Sequence, residues 1–201
     1  MIVTVASLKG GVGKTTLAVA LAEAAAERDG GALLVDADSQ GSAMKHAELA
    51  EEAGAPLSSV TVALPTRDLP RRLQGIGAAR YGIVVVDTPP GHEAVTRAAI
   101  SVADLAIVPA RPTPVDLERA WATIDLVEEM GRRPLVVLSQ IRLGTRALAA
   151  TLRALEAAGV QVAPTMIPQR EAVSLGYGAR IGRPLSTLAA ALLAEIMEAV
   201  K

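Results

Sequence analysis

The chain has 201 residues, enough for one well-buried domain and short for two. Half of it is apolar, yet its only aromatics are Tyr81, Trp121 and Tyr177, and it has no cysteine; this excludes disulfides, cysteine-ligated iron–sulfur clusters and thiolate zinc, and argues against base stacking on aromatic platforms. The net charge of −1 hides an asymmetry, because residues 131–186 hold eight arginines against Glu156 and Glu171 while residues 1–130 are acidic on balance. A basic region of this kind suits either a phosphate backbone or a solvated face.

The first apolar run, residues 2–6, predicts a buried strand that leads into Lys9-Gly10-Gly11-Val12-Gly13-Lys14-Thr15-Thr16. A loop of this composition between a strand and a helix cradles phosphate. Glycines bring the backbone close to phosphate oxygens, and the following helix, expected over 15–28, points its positive end at them. Lys14 is expected to reach the β- and γ-phosphates, the Thr15 hydroxyl to ligate Mg2+, and Thr16 to donate to the α-phosphate. The strict motif places glycine six residues before the lysine, where this chain has Leu8.

A second strand is expected over 32–36, ending Val35-Asp36-Ala37-Asp38, followed by a helix over 41–53. A third strand is expected over 60–64, a helix over 67–79, and a fourth strand over 82–87 that ends in Asp87-Thr88-Pro89-Pro90-Gly91. Aspartates at strand ends are commonly helix caps. Beside a phosphate loop they have another use: Asp87, assisted by Asp36, can hold water in a magnesium shell, and Asp38 can face the γ-phosphate and orient an attacking water. The Pro89-Pro90 turn leaves a free N–H at Gly91, suited to sensing the γ-phosphate. Helices over 91–102, 114–130, 145–158 and 186–200 and strands over 105–109, 134–139 and 160–164 complete the pattern. Alternation of this kind predicts an α/β fold of three layers, a mostly parallel sheet of about seven strands with helices on both faces, and ligands at the carboxyl ends of the strands. Neither linker nor repeat interrupts residues 1–201, so a single domain is expected, with 163–184 an ordered excursion. The chain opens in a strand-like segment and has no apolar run near the ~20 residues that span a bilayer, so a cytoplasmic location is expected.

These motifs together resemble the ParA/MinD group of deviant-Walker P-loop ATPases. The resemblance runs through Lys9–Thr16, Val35–Gln40 and Val86–Gly91. It continues through Ala103-Asp104 before a strand with Pro109, Pro112–Asp116, Ile167-Pro168 and Gly182-Arg183-Pro184. It implies ATP and Mg2+ as cofactors and a homodimer whose signature lysine, Lys9, crosses to the partner's nucleotide. It implies Asp38 as the water-positioning residue of the first switch, Asp87 as the Walker B aspartate, and Ile167-Pro168 beside the base. The implied cycle is an ATP-bound dimer on nonspecific DNA over the nucleoid, released when a ParB-like or adaptor protein stimulates slow hydrolysis, which segregates a plasmid, a chromosome region or a protein cargo. Arg142, Arg146, Arg170 and Arg183 are the expected DNA contacts. Gln169–Val173 departs from the family's usual Arg-Asn-rich string. The alternatives are a membrane-associated positioning ATPase like MinD and a small-molecule ligase of the same superfamily. The terminal helix carries Glu195 and Glu198, the wrong charge for anionic lipid, and is expected to pack on the domain, so no membrane partner is expected.

Overall fold

Every strand pair in the sheet is parallel, and the strand order is β3-β2-β4-β1-β5-β6-β7 in the computed structural model, which describes residues 1–28, 30–91, 93–169, 178 and 182–201. The elements are β1 (Ile2–Val5), α1 (Lys14–Ala26), β2 (Ala32–Asp36), α2 (Ser42–Glu52), β3 (Val60–Ala63), α3 (Leu69–Gly75), β4 (Ile83–Asp87), α4 (Glu93–Val102), β5 (Leu105–Ala110), α5 (Pro114–Glu129), β6 (Pro134–Ile141), α6 (Arg146–Ala157), β7 (Ile167–Pro168) and α7 (Arg183–Ala199).

Successive side chains of a strand point to opposite faces, and both faces here are covered, which is why the strands read as continuous apolar runs. Leu34 of β2 and Val85 of β4 pack toward α1 and α7, with Leu17, Leu21, Leu192 and Ile196. Their neighbours Leu33, Val35, Val84 and Val86 face the other side, against Leu69, Leu73 and Ala99. Farther along that side, Val108, Val136 and Leu138 pack on Ile124, Val127 and Leu155. As expected, the terminal helix buries its apolar face in the core.

Three boundaries differ from expectation. The helix expected over 67–79 is broken: α3 ends at Gly75, Gly77 adopts φ +68, and only a short 3-10 turn follows at Ala78–Arg80. The run 160–164 makes a single bridge, Val162 to Val136, and the last strand is instead the two-residue β7 beside Ser139 and Ile141. Pro164 has no N–H to continue a ladder, and pairing resumes beyond it. The final helix starts at Arg183, with Pro184 in its first turn. Half of the expected excursion over 163–184 lies outside the described residues.

Candidate functional site

The carboxyl ends of β1, β2 and β4 meet in register: Val5 lies beside Asp87, and Asp87 beside Asp36. The loop after β1 bends across this end and passes into α1. Gly13 caps α1 at φ 92 with no side chain closing the first turn, and Gly11 is also left-handed at φ 76, so both positions need glycine. Gly10 has no such conformation. A Cβ there would stand 3.8 Å from Pro90, between the loop and the turn after β4.

The loop's carbonyls are tied from behind. Lys14 Nζ donates to Lys9 O at 2.9 Å, Ser139 Oγ to Val12 O at 2.9 Å, and Arg111 Nη2 to Gly11 O. The amides of Gly10, Gly11, Val12 and Gly13 make no hydrogen bond among the described residues. Free N–H groups at the head of a helix form a concavity for an anion.

Lys14 is buried, and burial lowers its pKa while Asp87 and Asp38 raise it again. Two acidic groups therefore stand near the ammonium. Asp87 is fully buried, and burial pushes its carboxyl up to about 7; Thr15 and Lys14 pull it back, while Asp36 and Asp38 push it further. Neither of its oxygens has a hydrogen-bond partner among the described residues, although the Thr15 hydroxyl lies close enough to favour the ionised form. A carboxylate buried without donors is costly unless a cation completes it. Thr15 and Asp87 thus fit a magnesium ion carried by a triphosphate.

Asp36 stands differently. Its Oδ1 accepts from Asp38 N at 3.0 Å and its Oδ2 from Met44 N at 2.9 Å, so it organises the entry to α2. Burial raises its pKa and these amides lower it. Both oxygens are already engaged, which leaves Asp36 less free than Asp87 to meet a cation. Asp38 is half-buried on the same loop, and its Oδ1 accepts from Gln40 N at 2.9 Å. Gly91 is exposed at φ 70 beyond the Pro89-Pro90 turn.

Within this single chain, Lys9 pairs with Asp116 of α5. Asp116 also accepts from the Thr113 hydroxyl at 2.7 Å and caps back to Thr113 through its own N–H at 3.2 Å. Burial alone would raise the Asp116 pKa, but Lys9, Thr113 and Arg111 outweigh it and hold it below the usual range.

A pocket of about 330 Å³ adjoins the loop, lined by Gly13, Thr16, Arg111, Gln140, Ile167 and Pro168 among others. It brings the expected base-side pair, Ile167 and Pro168, to the phosphate loop. The motifs did not point to Arg111, Ser139 or Gln140, and they gave no role to Asp116, which closes the Pro112–Asp116 run. The first three sit at the ends of β5 and β6, where the strand-end rule for parallel sheets would find them. Gln140 has φ 52 and interrupts the pairing of β6 with β7, which turns its side-chain amide to Gly11 O at 3.4 Å.

Two of the four expected DNA contacts have described side chains. Arg142 is exposed and donates to Gln169 Oε1 at 2.8 Å, and Arg146 is exposed at the start of α6. Arg170 lies outside the described residues, as does the side chain of Arg183, whose backbone opens α7.

A family model described as the CobQ/CobB/MinD/ParA nucleotide binding domain matches residues 3–179. A maintenance of carboxysome distribution protein A from Halothiobacillus neapolitanus is 31% identical over 174 residues, covering 83% of this chain and 78% of that protein. A protein of the same name from Gloeobacter kilaueensis is 43% identical over 118 residues, 58% of this chain, and the matched segment spans about half (51%) of its length. The MinD cell division protein of Aquifex aeolicus shares the fold with a TM-score of 0.79 at 21% identity, covering 98% of this chain and 96% of that one.

Proposed function

The chain belongs to the CobQ/CobB/MinD/ParA nucleotide-binding family and is an ATPase of its ParA/MinD group, and on that premise we propose that it positions a cellular cargo by cycling between an ATP-bound homodimer on DNA and a released monomer. The observation that carries this reading is the buried Asp87 carboxylate, which has no hydrogen-bond partner among the described residues, set near Thr15, Lys14 and loop amides that are likewise unpaired among them. A site so built is completed by the triphosphate and its cation.

In this reading, Lys14 and the amides of Gly10–Thr16 bind the phosphates, and Thr15 and Asp87 hold magnesium. Magnesium, when bound, neutralises charge on the β- and γ-phosphates. Asp38, on the first loop past β2, accepts a hydrogen bond from the attacking water and orients it in line with the γ-phosphate. Gly91 reads the presence of that phosphate. Lys9 exchanges Asp116 for the partner's nucleotide in the dimer. Two relatives named for carboxysome distribution favour a protein cargo over a plasmid. Arg142 and Arg146 supply phosphate contacts that carry no sequence information, over the nucleoid. A ParB-like or adaptor partner speeds hydrolysis.

The membrane alternative meets a specific obstacle. A helix that inserts into lipid needs a free apolar face, and that of α7 is committed to the core through Leu185, Leu192, Leu193 and Ile196. No helix among the described residues is long and apolar enough to cross a membrane.

The test is DNA association measured with ATP, with ADP and with neither, over a salt series. Binding should require ATP, and log affinity should fall linearly with log salt, by about 0.9 for each phosphate contact. Pelleting with anionic liposomes in place of DNA would refute the assignment and support the membrane alternative.

A further inference from the structure

We propose that Arg111 is a positioning residue for nucleotide binding: it fixes the Gly11 carbonyl and thereby aims the next amide of the phosphate loop. The inference rests on the phosphate-loop reading above and adds a residue that the loop motif does not contain. The C=O and N–H of a trans peptide point in opposite directions within one plane. Holding a carbonyl from behind therefore sets the direction of the following N–H. Three such restraints occur in succession: Lys14 holds Lys9 O, Arg111 holds Gly11 O and Ser139 holds Val12 O. They orient the N–H groups of Gly10, Val12 and Gly13, none of which is paired within the described residues.

The Gly11 restraint matters because its peptide leaves a left-handed glycine, whose missing Cβ offers little steric resistance to rotation about ψ. Its second donor, Gln140 Nε2 at 3.4 Å, is long and neutral. Arg111 brings a charge-assisted bond, roughly twice as strong as a neutral one. The guanidinium follows the last residue of β5, a strand buried along its whole length, so its origin is rigid. Its Nε is buried with no partner among the described residues, and its charge acts on Asp116. The bond to Gly11 is thus the direct contact that seats the group beside the nucleotide pocket it lines. Preorganised donors bind more tightly because they need no rearrangement when the ligand arrives.

The experiment compares the wild type with Arg111→Ala, Arg111→Lys and Ser139→Ala, using ATP, ADP and the thermal midpoint of the nucleotide-free protein. Arg111→Ala should raise the Kd of ATP and of ADP alike by about tenfold, equivalent to about 1.4 kcal/mol. KM should rise by the same factor, with a smaller fall in kcat. Arg111→Lys, which keeps the charge and a donor, should recover most of the loss, and Ser139→Ala should cost about threefold. A Kd within twofold of wild type in Arg111→Ala overturns the proposal, as does a loss confined to kcat. If Arg111→Ala does not fold, Arg111→Gln, which keeps the bulk and loses the charge, takes its place, and a Kd within twofold of wild type is again contrary. A wild-type protein that binds neither nucleotide removes the underlying site assignment instead, whatever the variants do.

Discussion

Replacing Asp87 by asparagine separates what this residue does for the site from what it costs the fold. The carboxyl is fully buried and burial lifts it from 3.8 to about 7. Because the folded protein holds the proton more tightly than the unfolded chain, the associated stability is complete below pH ~4 and is lost as pH rises toward 7. At ~1.4 kcal/mol per unit, ionising Asp87 in the nucleotide-free protein costs about 4 kcal/mol at pH 8. Asparagine escapes that cost at nearly the same volume but buries an amide with few partners, at about 1–3 kcal/mol. The net expectation is a gain of about 2 kcal/mol at pH 8. At pH 5.5 the wild-type cost is smaller by about 2 kcal/mol, so the gain should vanish there. For a chain of this size these values correspond to a thermal midpoint roughly 4–8 °C higher for the variant at pH 8, and to no difference at pH 5.5. Thermal melts of nucleotide-free wild type and Asp87→Asn at the two pH values make the measurement. A variant equally destabilised at both pH values would show that Asp87 is neither strained by burial nor in need of a cation. ATP turnover in the variant should also fall at least a hundredfold and lose its response to added magnesium.

Three further outcomes are expected. Lys14→Ala should abolish ATP binding and ATP-dependent dimerisation, and isothermal calorimetry showing normal affinity would refute the phosphate-loop assignment. Asp38→Ala should retain ATP binding while hydrolysis falls about 10²–10⁴-fold, leaving a dimer that stays on DNA; a variant that leaves DNA with ATP present would deny Asp38 its role. Leu192→Ala deletes a side chain that is 1% exposed where α7 meets α1. It should cost about 2–5 kcal/mol in urea unfolding, and a loss below 1 kcal/mol would mean that α7 is not part of the core.

The strand-end residues were legible because a parallel sheet delivers the ends of its strands to one edge. Asp36 and Asp87 had only to be placed at the ends of apolar runs for their proximity to follow, and they are register neighbours. Their different employment was not legible, since it depends on which backbone amides happen to face each carboxylate. Asp36 receives the amides of Asp38 and Met44, and Asp87 receives none among the described residues. Lys9 was recognisable from its place before the glycines. Asp116, its partner in the free chain, lies 107 positions away on another element, and neither the Pro112–Asp116 run nor its capping pattern indicates that pairing. The last strand was misplaced because Val160–Ala163 has strand composition, whereas the pairing that forms depends on Pro164 and on the irregular backbone at Gln140.

The strand order also fixes a timetable. Among the described residues β1 pairs with β4 and β5, which begin at Ile83 and Leu105, while β2 pairs with the nearer β3. During synthesis at about 5–20 residues per second, the first strand waits roughly 4–16 s for the end of β4 to be made. Until then its apolar run and the glycines behind it have no sheet to join, and the β2–β3 pair is the earliest parallel ladder available. β1 is thus inserted late, between two strands that follow it in the chain, and nucleotide can be held only once both have joined it.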